Sequence, residues 1–209
     1  MNFKEAYQRA KSISIKGSIV VPKGYKGETN IIIPDEIVKY CAKKYNLLQN
    51  GKKVIDPMCG VGTIPRVINE LGGDCIGCEI EMERHLIAAS NTNGEILKGD
   101  FLTATIVIGK YDCIFTSMPF VWFKDLKAIE KLDSSYVKRF HEILKPSGII
   151  LIDSLPIVER NGEIWKVSEM QNEYFSRNGF TLTEITTFET EEHVDTSSKS
   201  VIMKFEKEF

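Results

Sequence analysis

Val54-Ile55-Asp56-Pro57-Met58-Cys59-Gly60-Val61-Gly62-Thr63 is the stretch that decides the fold of this chain. A short apolar strand runs into an acid, a proline and two glycines one position apart. Glycine lets bare backbone approach a ligand, and the helix that follows aims its N-terminal amides at the same place. Working outward, the apolar run Cys75-Ile76-Gly77-Cys78 ends on Glu79, at the distance where a carboxylate meets a ribose diol. Glu95-Ile96-Leu97-Lys98-Gly99 ends on Asp100. Three acids at successive strand ends around a glycine turn describe a nucleoside pocket.

What is missing narrows the nucleoside. A dinucleotide fingerprint needs a third glycine where Pro65 stands, and a P-loop needs Lys after Gly62 where the chain has Thr63-Ile64. Asp56 beside the turn would repel a pyrophosphate and welcome an ammonium. An adenosyl ligand that carries an amino acid and no phosphate fits, which points to S-adenosylmethionine.

Asp56-Pro57-Met58-Cys59-Gly60-Val61-Gly62-Thr63 resembles the D-P-x-x-G-x-G-T cofactor motif of class I methyltransferases that modify amino groups of nucleic-acid bases. Tyr111-Asp112-Cys113-Ile114-Phe115-Thr116-Ser117-Met118-Pro119-Phe120 resembles their catalytic motif, in the T-S-P-P-Y/F form of DNA cytosine-N4 methyltransferases, with Met118 where that family has its first Pro. Leu71 to Ile80 and Leu144 to Ile152 are similar to the segments that follow. The likeness runs from about residue 33 onward.

The resemblance implies an S-adenosylmethionine cofactor bound by Asp56, Pro57, Met58, Cys59, Gly60, Gly62, Thr63, Glu79, Ile80, Asp100 and Phe101. Ile80 would pack on the adenine and Phe101 would cover its other face, with core packing an equal role for both. Catalysis would fall to four residues. Ser117 would accept one N–H of the target amine, the Met118 carbonyl would accept the other, Pro119 would fix the turn and Phe120 would stack on the base. Stacking is worth about 1–3 kcal/mol per base, and a base in duplex DNA must first leave the stack. No metal site is implied.

At 209 residues the chain reads as one domain, 1–209, with residues 1–33 as a basic N-terminal arm. A hydrophobic share of 43% and a charged share of 27% are ordinary for a globular protein. No leader-like segment and no membrane-spanning apolar run stands out, and the five cysteines are odd in number without paired spacing, so a reduced cytoplasmic setting is expected. Cys75 and Cys78 form a C-x-x-C, but three apart in a strand they face opposite sides, and buried apolar roles are the better reading.

The formal charge of −2 hides an asymmetry, because residues 1–53 hold eleven Lys/Arg against four acids. Those cations, interleaved with Tyr7, Tyr25, Tyr40 and Tyr45, could follow a phosphate backbone or form a solvated face.

The organisation is a regular alternation. Lys11 to Pro22 could form a strand or hairpin arm. Pro34 opens a helix through Tyr45, with Asp35 and Glu36 complementing its dipole. Strands are expected near 53–56, 74–79, 95–98, 111–116, 148–154, 180–188 and 199–206, and helices near 63–71, 81–91, 125–144 and 165–177. Alternating strand and helix give a mostly parallel sheet covered on both faces. The last two strands lack a helix between them and should pair as an antiparallel hairpin. The pattern resembles the Rossmann-like α/β fold with the seven-stranded sheet of class I methyltransferases.

Several other residues have bland roles. His85 and His141 lie on helices and read as structural, His193 sits in an acidic stretch, and Trp122 and Phe123 follow the catalytic turn. The expected partner is a nucleic acid, DNA favoured over RNA, with a protein partner or a second copy supplying target recognition. Two alternatives stand beside that reading: an RNA guanine-N2 methyltransferase, and a non-catalytic module that binds nucleoside or nucleic acid.

Overall fold

The computed structural model describes residues 3–15, 33–106, 109–131, 134–160, 162–190 and 199–208. In chain order the elements are α1 (Phe3–Gln8), β1 (Lys11–Ile15), α2 (Asp35–Lys44), β2 (Val54–Asp56), α3 (Thr63–Glu70), β3 (Cys75–Glu79), α4 (Met82–Asn91), β4 (Ile96–Lys98) and β5 (Tyr111–Thr116). A 3-10 turn (Phe120–Phe123) follows, then α5 (Leu126–Lys131), α6 (Ser135–Ile143), β6 (Leu144–Ser154), β7 (Val158–Arg160), β8 (Glu163–Trp165), α7 (Val167–Arg177), β9 (Phe180–Thr190) and β10 (Lys199–Lys207). Among the described residues no helix is long and apolar enough to cross a membrane.

Among the described residues, eight strands share one sheet in the order β1-β9-β10-β6-β5-β2-β3-β4. Neighbours pair parallel except β10, which runs antiparallel to both β6 and β9. The expected C-terminal antiparallel pair is therefore present, and β10 completes the sheet's interior. β7 and β8 form a separate two-stranded hairpin just beyond β6.

Side-chain alternation builds a core on each face. Cys113 and Phe115 of β5, Leu151 of β6 and Ile202 of β10 pack beneath Ile37, Val38 and Cys41 of α2 and Val67 and Ile68 of α3. Their strand neighbours Ile114, Ile150, Ile152, Val201 and Met203 face the other way, against Phe140 and Ile143 of α6 and Tyr174 and Phe175 of α7. Each large apolar side chain so buried contributes about 1.5–3 kcal/mol. Cys75 and Cys78 fall in opposite cores, as strand alternation requires.

Three departures from the expected elements have local causes. The sheet has an eighth strand, because Lys11–Ile15 pairs parallel with Thr186–Thr190 at the outer edge. Its polar Lys11, Ser12 and Ser14 are exposed, which suits an edge strand. The long helix expected over 125–144 is divided between α5 and α6, and α6 begins after Ser134, a residue type that favours helix starts over interiors. β6 starts earlier than expected, because Leu144 pairs with Tyr111 before a register shift brings Ile149 opposite Cys113. Pro146, which has no N–H to give the ladder, lies in the shifted segment.

The expected basic arm over 1–33 falls largely on residues 1–2 and 16–32, outside the described residues, as do Tyr25, Lys16, Lys23, Lys26 and His193. The described cations of this region are partly neutralised within the fold. Lys44 Nζ donates to Glu184 and to Thr186 Oγ1 (3.0 Å), Lys39 pairs with Glu36 at 2.8 Å and Lys53 with Asp74 at 2.6 Å. Tyr45 donates to Glu184 Oε2 at 3.2 Å, and the Tyr40 ring meets Phe188 edge-on. These two tyrosines are thus tied to the sheet.

Candidate active site

The strand order reverses between β2 and β5, and the carboxyl ends of strands at such a point are where open α/β sheets bind ligands. Asp56 ends β2, and Thr116 with Ser117 ends β5 beside it. The glycine elbow lies between β2 and α3. Gly60 and Gly62 both take left-handed backbone (φ 55° and 84°), and the elbow is closed by Gly62 N–H donating to Cys59 O at 2.8 Å. The two glycines do different work. A Cβ on Gly62 would sit 2.8 Å from Ala88 Cβ, so this residue lets α3 and α4 approach. A Cβ on Gly60 would meet nothing within 4 Å, so that glycine borders open space.

Each of the three expected acids is held by backbone amides. Asp56, only 2% exposed, accepts from Met58 N–H at 3.2 Å. Glu79 accepts from Gly60 N–H on one oxygen (2.9 Å) and from Glu81 N–H on the other (2.7 Å), which fastens the elbow to the start of α4. Asp100 accepts from Leu102 N–H at 2.9 Å. An ionised carboxylate offers about four lone-pair positions, so Glu79 retains acceptor capacity for a diol. Burial pushes the Asp56 carboxyl up to about 7. The Thr116 hydroxyl and the Met58 amide oppose that rise, while the charges of Glu79 and Asp153 add to it.

Around this cradle the other cofactor-side candidates sort themselves. Ile80 is 62% exposed at the tip of β3 and presents an apolar face beside Glu79. Pro57 and Thr63 are buried, Met58 is half-buried, and Cys59 is buried with its sulfur against Gly77. Phe101 is buried in the core with its ring edge-on to Phe140, 5.5 Å away.

On the other side of the reversal point, Ser117 is half-buried at the end of β5. Met118 is buried in the core, so its side chain is a packing group and its backbone is what it offers the site. Pro119 precedes the 3-10 turn. The Phe120 side chain, and with it the expected stacking role, lies outside the described residues. Phe123 packs edge-on against Tyr174, and Trp122 lies against Tyr136. His141 stacks on Phe180 and its Nε2 lies 2.9 Å from Asn178 O, a structural arrangement.

Sequence reasoning missed Asp153. It lies on β6 one residue beyond Ile152, the partner of Thr116, so it flanks Ser117. It is 8% exposed and its Oδ1 has no hydrogen-bond partner. Burial raises its carboxyl to about 7, with the Ser117 hydroxyl opposing the rise. Both amide atoms of the buried Gln171 on α7 are also unpartnered. It ends the apolar run Ile149-Ile150-Leu151-Ile152 as Glu79 ends Cys75 to Cys78, and that is the signal that could have found it.

No protein-family profile and no curated protein matches this chain. Solved structures do. A candidate RNA methyltransferase from Pyrococcus horikoshii is similar over 100% of both chains, with a TM-score of 0.60 and 18% identity. A TehB-like SAM-dependent methyltransferase from Corynebacterium glutamicum covers 83% of this chain and 99% of its own, with a TM-score of 0.53 and 17% identity. The cyclase SpnF covers 83% of this chain and 81% of its own, at 0.60 and 13%. What is shared at these identities is the fold, the Rossmann-like α/β fold of SAM-dependent methyltransferases. A cyclase stands on it too, so the reaction must be argued from the site.

Proposed function

We propose that this chain binds S-adenosylmethionine and directs its methyl group to an exocyclic amino group of a nucleic-acid base, with cytosine N4 in DNA as the leading target. The observation that carries the reading is the meeting, at the sheet's reversal point, of an amide-braced acidic cradle (Asp56, Glu79, Asp100) with the Ser117 hydroxyl on the adjoining strand.

The residues present fit the cofactor. Open space borders Gly60, Ile80 offers an exposed apolar face, and Asp56 needs a cation beside it to ionise readily. Asp56 would face the ammonium, Glu79 the ribose diol, and Ile80 the adenine. When bound, the cofactor supplies an electrophilic methyl on a sulfonium. The protein's part is to present the amine. An exocyclic amine is a weak nucleophile because its lone pair is delocalised into the ring. Accepting its two N–H bonds at the Ser117 hydroxyl and the Met118 carbonyl leaves that lone pair directed at the methyl. Alignment of this kind can supply roughly 7–11 kcal/mol.

A second reading, an RNA base such as guanine N2, is favoured by the likeness over the full length of both chains to a candidate RNA methyltransferase. Transfer of labelled methyl onto DNA and RNA pools, followed by nucleoside mass spectrometry, separates the two. Methylated cytosine in DNA supports the first, and methylated guanosine in RNA alone supports the second. Calorimetry that gives no heat with millimolar S-adenosylmethionine removes both.

A further inference from the structure

We infer that Asp153 is a second target-binding residue, pairing with the ring nitrogen that adjoins the amine held at Ser117. The inference rests on the base-methylation reading above and deepens it by naming the kind of base edge the site accepts.

The placement comes from strand register. β5 lies between β2 and β6, so Asp56 and Asp153 flank the tip that carries Ser117. Asp56 belongs to the cofactor cradle, and Asp153 occupies the side away from Glu79 and Asp100. By alternation Asp56 continues the row of Val54 and Asp153 that of Leu151, both on the face that packs beneath α2 and α3. A carboxyl with one oxygen unpartnered, more than nine-tenths buried, is costly to keep. A ligand edge that satisfies it removes that cost. The titratable groups facing it are Asp56 from β2 and the Cys41 thiol from α2, with the Ser117 hydroxyl from β5. None is a cation, and the Ser117 hydroxyl alone opposes the rise that burial imposes.

Asp153 therefore keeps its proton to near neutrality. A protonated carboxyl offers one O–H donor and one carbonyl acceptor side by side. The O–H complements an acceptor ring nitrogen next to the amine, as N3 in cytosine or N1 in adenine, while both amine N–H bonds stay with Ser117 and Met118. On its Watson–Crick edge guanine presents a donor, N1–H, beside N2 and needs the carboxylate instead. The protonation state of one side chain thus separates the two leading target classes.

The experiment measures methyl transfer to short homopolymeric DNA and RNA oligonucleotides by the wild type, Asp153→Asn and Asp153→Ala across pH 5.5 to 9. Calorimetric affinity for S-adenosylmethionine and for the oligonucleotides, with melting temperatures, is measured in parallel. Wild-type kcat/KM on cytosine or adenine oligomers is expected to fall about tenfold per pH unit above 7. Asp153→Asn, neutral throughout and still a donor and acceptor, should keep transfer and lose that alkaline limb. Asp153→Ala should lose about tenfold or more in kcat/KM and in oligonucleotide affinity, chiefly through KM, with cofactor affinity unchanged.

An Asp153→Ala enzyme with wild-type KM and pH profile overturns the inference and leaves the methyltransferase reading standing. So does guanine as the sole acceptor. A wild type that binds the cofactor and methylates none of the oligonucleotides overturns the base-methylation reading itself, and this inference with it.

Discussion

The two halves of the sheet's carboxyl edge differ in how their polar groups are satisfied. On the β2–β3–β4 side, Asp56, Glu79 and Asp100 each receive backbone amides, from Met58, from Gly60 and Glu81, and from Leu102. On the β5–β6 side, Asp153 Oδ1 is buried without a partner, and the buried Gln171 has neither amide atom paired. One half is braced by its own chain before any ligand arrives. The other carries unmet hydrogen-bonding capacity, which in a native fold calls for an explanation. Preorganisation suits a cofactor common to every turnover, and unmet groups suit a target that must enter and leave.

Glu79→Ala should break the braced half most severely. It strands the amides of Gly60 and Glu81 and removes the diol acceptor, for an expected loss of about 100-fold in S-adenosylmethionine affinity by calorimetry. An unchanged affinity would mean the elbow is not held by this carboxylate.

The next effect is in pH. Asp56 and Asp153 have folded-state pKa values raised to about 7, above an ordinary carboxyl near 3.9. Between those values the folded state binds more protons than the unfolded chain, so stability falls as pH rises from about 4 to about 7. The expected loss is on the order of a few kcal/mol, read from denaturation midpoints. Asp56→Asn and Asp153→Asn should each flatten part of that slope. S-adenosylmethionine should flatten only the Asp56 part, because its ammonium supports the ionised form there. Equal flattening of both parts by the cofactor would erase the distinction between the two halves.

Gly62→Ala comes third. It forces a Cβ against Ala88 at left-handed φ, for a loss of about 2 kcal/mol or more in stability. Gly60→Ala, with open space at its Cβ, should cost less stability and weaken cofactor binding instead. Matching melting temperatures for the two variants would refute this division.

The smallest effect expected is that of Ser117→Ala, a fall of about tenfold in turnover with cofactor affinity intact. Lost affinity with turnover kept would move Ser117 into the braced half.

The braced half was legible in the sequence because its parts are local. Acid, proline and glycine at fixed spacing specify a turn, and Glu79 and Asp100 each end an apolar run, 23 residues after Asp56 and 21 after Glu79. The fold class was legible for the same reason, since strand and helix alternate with clear periods from Val54 to Arg177. Phe101 read equally well as a ligand cover or a core ring, and its packing on Phe140 is a long-range contact that its own neighbours do not announce. The edge strand β1 was half-legible, because its pairing with residues about 175 positions later leaves only a weak alternation in its own sequence. Asp153 ends an apolar run as Glu79 does, but its place beside Ser117 was not legible. Its role depends on the register between β5 and β6, which the bulge around Pro146 resets.

β10 sits between β6 and β9 and hydrogen-bonds to both, yet it is the last strand in chain order. Until residues 199–207 arrive, β6 and β9 each present an open ladder edge, and neither core is roofed at Val201, Ile202 or Met203. The sheet is thus closed by a keystone inserted from outside. A chain cut short of that segment would expose two sticky borders instead of a slightly smaller sheet, and self-association is its expected fate.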